Sequence, residues 1–163
     1  MTFTKRIQLL LLVLALSLPF STAVQKLPET MLIQSREAYW LAINIYHEAG
    51  NQSKTGKIAV GIVTLNRVNH PNLFGDTVER VVKEPRQFSW YNNKVVPKPR
   101  NQKAWQESLY VAHLLLTNPN KLAIIDKLRD ATHYHATYVK PNWSKSLVRV
   151  AQIGDHVFYR MKH

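Results

Sequence analysis

Among the 10 acidic residues of this 163-residue chain, Glu48 has the setting best suited to acid–base chemistry. It lies in the stretch IYHEAGNQ, three residues after Ile45 and seven after Leu41, so on a helix its side chain borders the apolar stripe. Gly50-Asn51 then ends that helix. Partial burial disfavours a carboxylate, and the negative end of the helix dipole disfavours it further. Both effects raise the pKa, as an acid that protonates a leaving-group oxygen near neutral pH requires. Position alone leaves open an ordinary solvated glutamate in a last turn.

Two more constellations carry chemistry. In Thr132–Val139 the residues alternate with the period of a strand. His133 and His135 then point the same way, which suits zinc with Glu48 or His47, hydrogen bonding within a sheet, or a wall of polar groups. No H-E-x-x-H motif accompanies them. The second constellation is aromatic. Phe88, Trp90, Tyr91, Tyr134, Tyr138, Trp143 and Tyr159 fall in segments without helical periodicity, where flat faces can stack on sugar rings while Gln87 and Ser89 donate hydrogen bonds. Trp90 and Tyr134 are the best cleft candidates of this set, whereas Trp40 and Trp105 sit on or beside helical stripes and read as core.

The elements that must position these residues follow from periodicity. Ala38, Leu41, Ala42, Ile45 and Ala49 predict a helix from Arg36. A second helix is expected over Thr55–Val68, capped by Ser53 or Thr55, with Arg67 a structural ion-pair partner. Asp76 and Glu79 have capping-box spacing for a short helix that Glu84-Pro85 closes. Residues 86–100 read as an irregular loop. Asn101 caps another helix, stopped by Asn118-Pro119. The strand at 132–139 is followed by two more, Leu147–Ile153 and His156–Tyr159, flanking the hairpin signal Gly154-Asp155. Helices first and strands last make an α+β chain, mainly helical with a small C-terminal antiparallel β element. Glu107, Asp126 and Asp130 read as solvated residues and Asp155 as a turn residue.

Composition narrows the setting. Lys5-Arg6, the apolar run Ile7–Phe20 and Ser21-Thr22-Ala23 have the layout of a secretory signal peptide over residues 1–23. Residues 24–35 read as a lead-in and 36–163 as one domain. The export signal predicts a periplasmic, envelope or extracellular protein with no stable membrane insertion after cleavage. Taking Lys5 and Arg6 from the 22 basic residues leaves 20 against 10 acidic ones, a net charge of +10. That charge favours anionic cell-envelope polymers. Lys140, Lys145, Arg149 and Arg160 concentrate it near the C-terminus. Export, and the lack of a binding motif, argue against nucleic acid. With no cysteine there is no disulfide, thiolate metal site or thiol nucleophile.

Four ordered blocks carry a resemblance: IYHEA followed by GKIAVGIVTLNRV, then QFSW, then ATHYHATYVKPNW, then IGDHVFYR. Together they resemble the bacterial cell-wall hydrolase family that includes the spore-cortex-lytic enzymes. The resemblance spans roughly residues 36–160. It implies a lysozyme-like fold related to lytic transglycosylases, peptidoglycan as substrate, no cofactor or metal, and Glu48 as catalytic acid. It makes His133, Tyr134 and His135 a cleft wall that binds sugar groups; Gln87, Phe88, Ser89, Trp90 and Trp143 join them as substrate-binding candidates from the aromatic constellation. Many relatives carry arginine, glycine and glutamate after the E-A pair; here those positions are Gly50, Asn51 and Gln52, so a nearby second carboxylate is missing. Hydrolysing glycosidases normally pair two carboxylates, whereas a lytic transglycosylase needs one. A zinc-dependent amidase or peptidase and a non-catalytic wall-binding module are the competing expectations.

Overall fold

A computed structural model describes residues 29–118 and 124–162 of the chain; the leader expected over residues 1–23 lies outside them. Five α-helices and three strands are found among the described residues: α1 Glu29–Ala49, α2 Lys54–Val68, α3 Val78–Lys83, α4 Gln102–Thr117, α5 Ile124–Lys127, β1 Ala131–Ala136, β2 Val148–Ile153 and β3 His156–Arg160. Single 3-10 turns occupy Ser89–Tyr91 and Asn142–Ser146. The architecture is the expected α+β one.

Helix α1 starts at Glu29, seven residues before the apolar spacing at Arg36 predicts. Thr30–Gln34 lacks that spacing, but Met31, Leu32 and Gln34 favour helix by intrinsic propensity, and an acid stands in the first turn. The middle of α1 is buried nearly all round. Leu41, Ala42, Ile43, Asn44 and Ile45 are all fully buried, because α2, α3 and α4 pack around the helix on different sides. At Gly61 the absence of a side chain leaves room for neighbours: a Cβ there would meet Leu115 Cδ1 of α4 at 2.4 Å and Ile45 Cδ1 of α1 at 3.0 Å, so those side-chain tips would have to shift.

Side chains cap the helix starts largely where the sequence places them. Ser53 Oγ accepts from Gly56 N–H at 3.3 Å, and Asn101 Oδ1 from Ala104 N–H at 3.0 Å. The cap of α3 lies one residue later than its spacing predicts. Thr77 accepts from Arg80 N–H at 3.2 Å, while Glu37 takes Val78 N–H at 2.9 Å. Asp76 and Glu79 instead pair with cations, Asp76 with Arg80 and Glu79 with Arg36 and Lys83. Nor is Glu107 a free solvated residue. It pairs at 3.0 Å with Lys57, whose ammonium is buried and also donates to Gln52 O at 2.8 Å.

The sheet has strand order β1-β3-β2, antiparallel throughout. Its inner face lies on α2 and brings Phe158 and Ala151 into the core. Gly154-Asp155 makes the hairpin turn, with Gly154 at φ +55°. The register slips between Ala131 and His133, leaving an extra residue, Thr132, on β1. No helix among the described residues is long and apolar enough to cross a membrane.

Candidate active site

Glu48 lies in the last turn of α1, half-buried, where the helix end meets β1. The Tyr134 hydroxyl donates to its Oε2 at 2.8 Å. The Tyr134 ring is set edge-on to His156, with centroids 5.2 Å apart, and tilted on Phe158 at 5.7 Å, so the hydroxyl is aimed by packing. Burial pushes the Glu48 carboxyl above its usual range; the Tyr134 bond and the charge of Arg67 pull it partly back. Burial and the neighbouring Glu48 charge push the Tyr134 hydroxyl well above the ordinary phenol value, so it remains a donor. Tyr134 and Arg67 are the ionisable groups that act on Glu48, and no second carboxylate is among them.

Arg67 has a larger part than its sequence setting predicts. No carboxylate among the described residues lies within ion-pair distance. Its Nε donates to Thr132 O at 2.8 Å, and its guanidinium stacks over Phe88 at 5.1 Å and Phe74 at 5.4 Å. A signal for it was present. Gly56, Val60, Val63 and Arg67 follow one another at helical spacing, so an arginine closes a buried row.

On the neighbouring side of α1, a chain of buried polar groups fixes Trp90. Its Nε1 donates to Asn44 Oδ1 at 3.0 Å, and Asn44 Nδ2 donates to Thr64 Oγ1 at 3.0 Å. His47 stacks on the Trp90 ring at 4.6 Å and 23°, and its Nε2 meets Pro97 O at 3.2 Å. Asn44 was not singled out by its sequence setting, since a polar residue inside an apolar helix has many structural uses. Of the loop residues around Trp90, Ser89 is exposed and Gln87 half-buried. Phe88 is a core residue at 3% exposure, covered by Arg67, and offers no open face for a sugar.

Strand alternation divides the remaining candidates between the two sides of the sheet. Tyr134 faces Glu48 on the inner side, while His133 and His135 take the opposite side. There Trp143 is ringed by His133, His135 and Tyr159, at 5.5, 5.6 and 5.6 Å. His135 Nε2 lies 2.9 Å from the Tyr159 hydroxyl and His133 Nδ1 2.9 Å from Thr132 Oγ1, so both imidazoles are engaged within the sheet. The pair is therefore not assembled with Glu48 or His47 as a zinc site would need. Among the described residues no three His, Asp or Glu side chains gather in a metal-binding arrangement. Gln52 ties the helix end to the hairpin: its Nε2 donates to Asp155 Oδ2 at 2.9 Å, and its Oε1 accepts from Asp155 N–H at 3.2 Å. Asp155 is thus a turn residue with a partner.

The cell wall hydrolase family model matches residues 51–159, more than half of the chain and starting three residues after Glu48. The chain belongs to the cell wall hydrolase family. Among similar proteins is a spore cortex-lytic enzyme of Oceanobacillus iheyensis, 29% identical over 118 residues, which make up 72% of this chain but only 39% of that protein. The fold is similar to the catalytic domain of the germination-specific lytic transglycosylase SleB from Bacillus anthracis. That match has a TM-score of 0.58 and 25% identity, covering 76% of this chain and 93% of that one. The catalytic domain of the Bacillus cereus SleB protein has the same fold, with a TM-score of 0.54 at 24% identity over 77% of this chain and 91% of that one. The mainly helical, lysozyme-like architecture is the one the sequence resemblance implies.

Proposed function

We propose that this chain cuts the glycan strands of peptidoglycan between N-acetylmuramic acid and N-acetylglucosamine, as a lytic transglycosylase with Glu48 as acid and then base. The observation that carries the reading is the Glu48 carboxyl, raised by burial and held by the Tyr134 hydroxyl at 2.8 Å, with no second carboxylate among the described residues acting on it. Protonated Glu48 gives its proton to the glycosidic oxygen. The C1–O bond breaks, and N-acetylglucosamine leaves as an alcohol. The substrate's acetamido group steadies the cationic sugar. The Glu48 carboxylate then takes the proton from the muramyl 6-hydroxyl, whose oxygen closes on C1 to form a 1,6-anhydro ring. Glu48 ends protonated, and no water is consumed.

Trp90, braced by Asn44 and His47, is the sugar-stacking candidate on the helix side of the site, with Gln87 and Ser89 beside it as donors. His133, His135 and Trp143 make a separate aromatic face for more distant parts of the wall. The family supports a location outside the cytoplasm, with peptidoglycan as partner and anionic envelope polymers as secondary contacts for the basic surface.

Digestion of defined peptidoglycan by the native chain and by Glu48→Gln tests the reading. Native protein is expected to release fragments with anhydromuramyl ends, and the folded variant to lose about 10²–10⁴-fold of the rate. Wall clearing by Glu48→Gln, or reducing muramic ends alone, refutes it.

A further inference from the structure

Arg67 is costly to bury, and no carboxylate among the described residues lies within ion-pair distance of it. It is 6% exposed, and its Nη1 is buried with no hydrogen-bond partner among the described residues. An apolar side chain would fill the space between Phe74 and Phe88 without the desolvation of a charge. Packing alone therefore does not explain an arginine here.

Among the described residues, its side chain's one hydrogen bond has a specific target. Thr132 is the extra residue of the β1 bulge, where the ladder register slips, and its carbonyl is what Arg67 Nε binds. The preceding residue, Asn66, donates from Nδ2 to Ala131 O at 2.9 Å and Leu128 O at 3.0 Å. Two consecutive side chains at the end of α2 thus pin the start of β1. Two residues further along, the same strand presents Tyr134 to Glu48.

We propose, on the reading of Glu48 as the proton carrier, that Arg67 is the fixed counter-cation of the Glu48–Tyr134 pair. It is a positioning residue that holds the bulge aiming Tyr134 and steadies the Glu48 carboxylate between giving and regaining its proton. Negative charge appears on Glu48 in a partly desolvated place. A cation already in position there needs no reorganisation when the charge develops. The influence is mutual: burial raises the Glu48 carboxyl and Arg67 pulls it partly back, while burial lowers the Arg67 guanidinium and the Glu48 carboxylate pulls it partly back. The other titratable groups around the pair are His47 next to Glu48 on α1, His133, whose pKa burial and then Arg67 depress, and His156, edge-on to Tyr134.

The test compares pH–activity profiles of Arg67→Gln and Arg67→Lys on purified sacculi. Gln keeps a donor for Thr132 O but removes the charge; Lys keeps the charge. Arg67→Gln is expected to move the alkaline limb of activity up by roughly one pH unit, because Glu48 then holds its proton longer. Arg67→Lys is expected to leave the limb near its native position. An unmoved limb in a folded Arg67→Gln, or an equal shift in Arg67→Lys, overturns the proposal. A second measurement needs no Arg67 variant. In the native protein, the Arg67 Nε resonance is expected to shift with the midpoint of the Glu48 carboxyl carbon, and to lose that step in Glu48→Gln. An Arg67 resonance blind to Glu48 ionisation also overturns it. That readout does not depend on wall lysis, so failure of Glu48 as the catalytic acid is distinguishable from failure of Arg67 as its counter-charge.

Discussion

Tyr134→Phe isolates the contact on which the site turns. The substitution keeps the ring against His156 and Phe158 and removes only the hydroxyl that donates to Glu48 Oε2 at 2.8 Å. That bond favours the ionised carboxyl, so its loss pushes the Glu48 pKa further in the direction burial already drives it. A hydrogen bond to a charged group contributes about 1.5–3 kcal/mol. Glu48 is only half-buried, so the lower end applies; at 1.36 kcal/mol per pKa unit that is about one unit. The alkaline limb of activity should therefore move up by about one pH unit. On the proposed mechanism the variant should be slower at the native optimum, because a carboxyl that has lost this donor is a weaker acid toward the glycosidic oxygen. Release of soluble fragments from sacculi, across pH at constant ionic strength, reads the limb. Carbon-detected NMR of labelled glutamate reads the same midpoint without turnover. A limb that stays in place or moves down, in a protein with native circular dichroism, refutes the argument.

Stability should register the same electrostatics with a definite sign. Because the folded pKa of Glu48 lies above its unfolded value, the folded state holds the extra proton between the two; native stability then falls as pH rises through that window. Glu48→Gln escapes this loss. It should melt higher than the native protein at neutral pH, with the gap closing below the ordinary carboxylate range, as calorimetry across pH would record; a lower melting temperature at neutral pH contradicts it. Gln52→Glu supplies a second acid near Glu48 in the chain but sets a carboxylate against Asp155. It should destabilise the chain by about 0.5–1 kcal/mol in urea at neutral pH, less in acid, and leave the anhydro product unchanged. A shift to reducing ends would show position 52 to be catalytic.

The chain's own order of residues determined the α+β class, the caps at Ser53 and Asn101, the Gly154-Asp155 turn and the placing of Glu48 at a helix end on an apolar border. These are local properties: periodicity, turn chemistry and capping act within a few residues, and neighbours in sequence suffice to state them. Strand period two also made His133 and His135 one set and Tyr134 another. Tertiary packing alone decided which set meets Glu48, because the face of a strand that turns inward depends on the helix it lies against. The same holds for Phe88, which local pattern allowed as a cleft residue and which Arg67 covers, and for Gln52, whose partner Asp155 comes 103 residues later. Arg67 is the clearest case. Its place in a buried helical row was legible, but its carbonyl target lies on another element, and only the packing of α2 against β1 brings the two together.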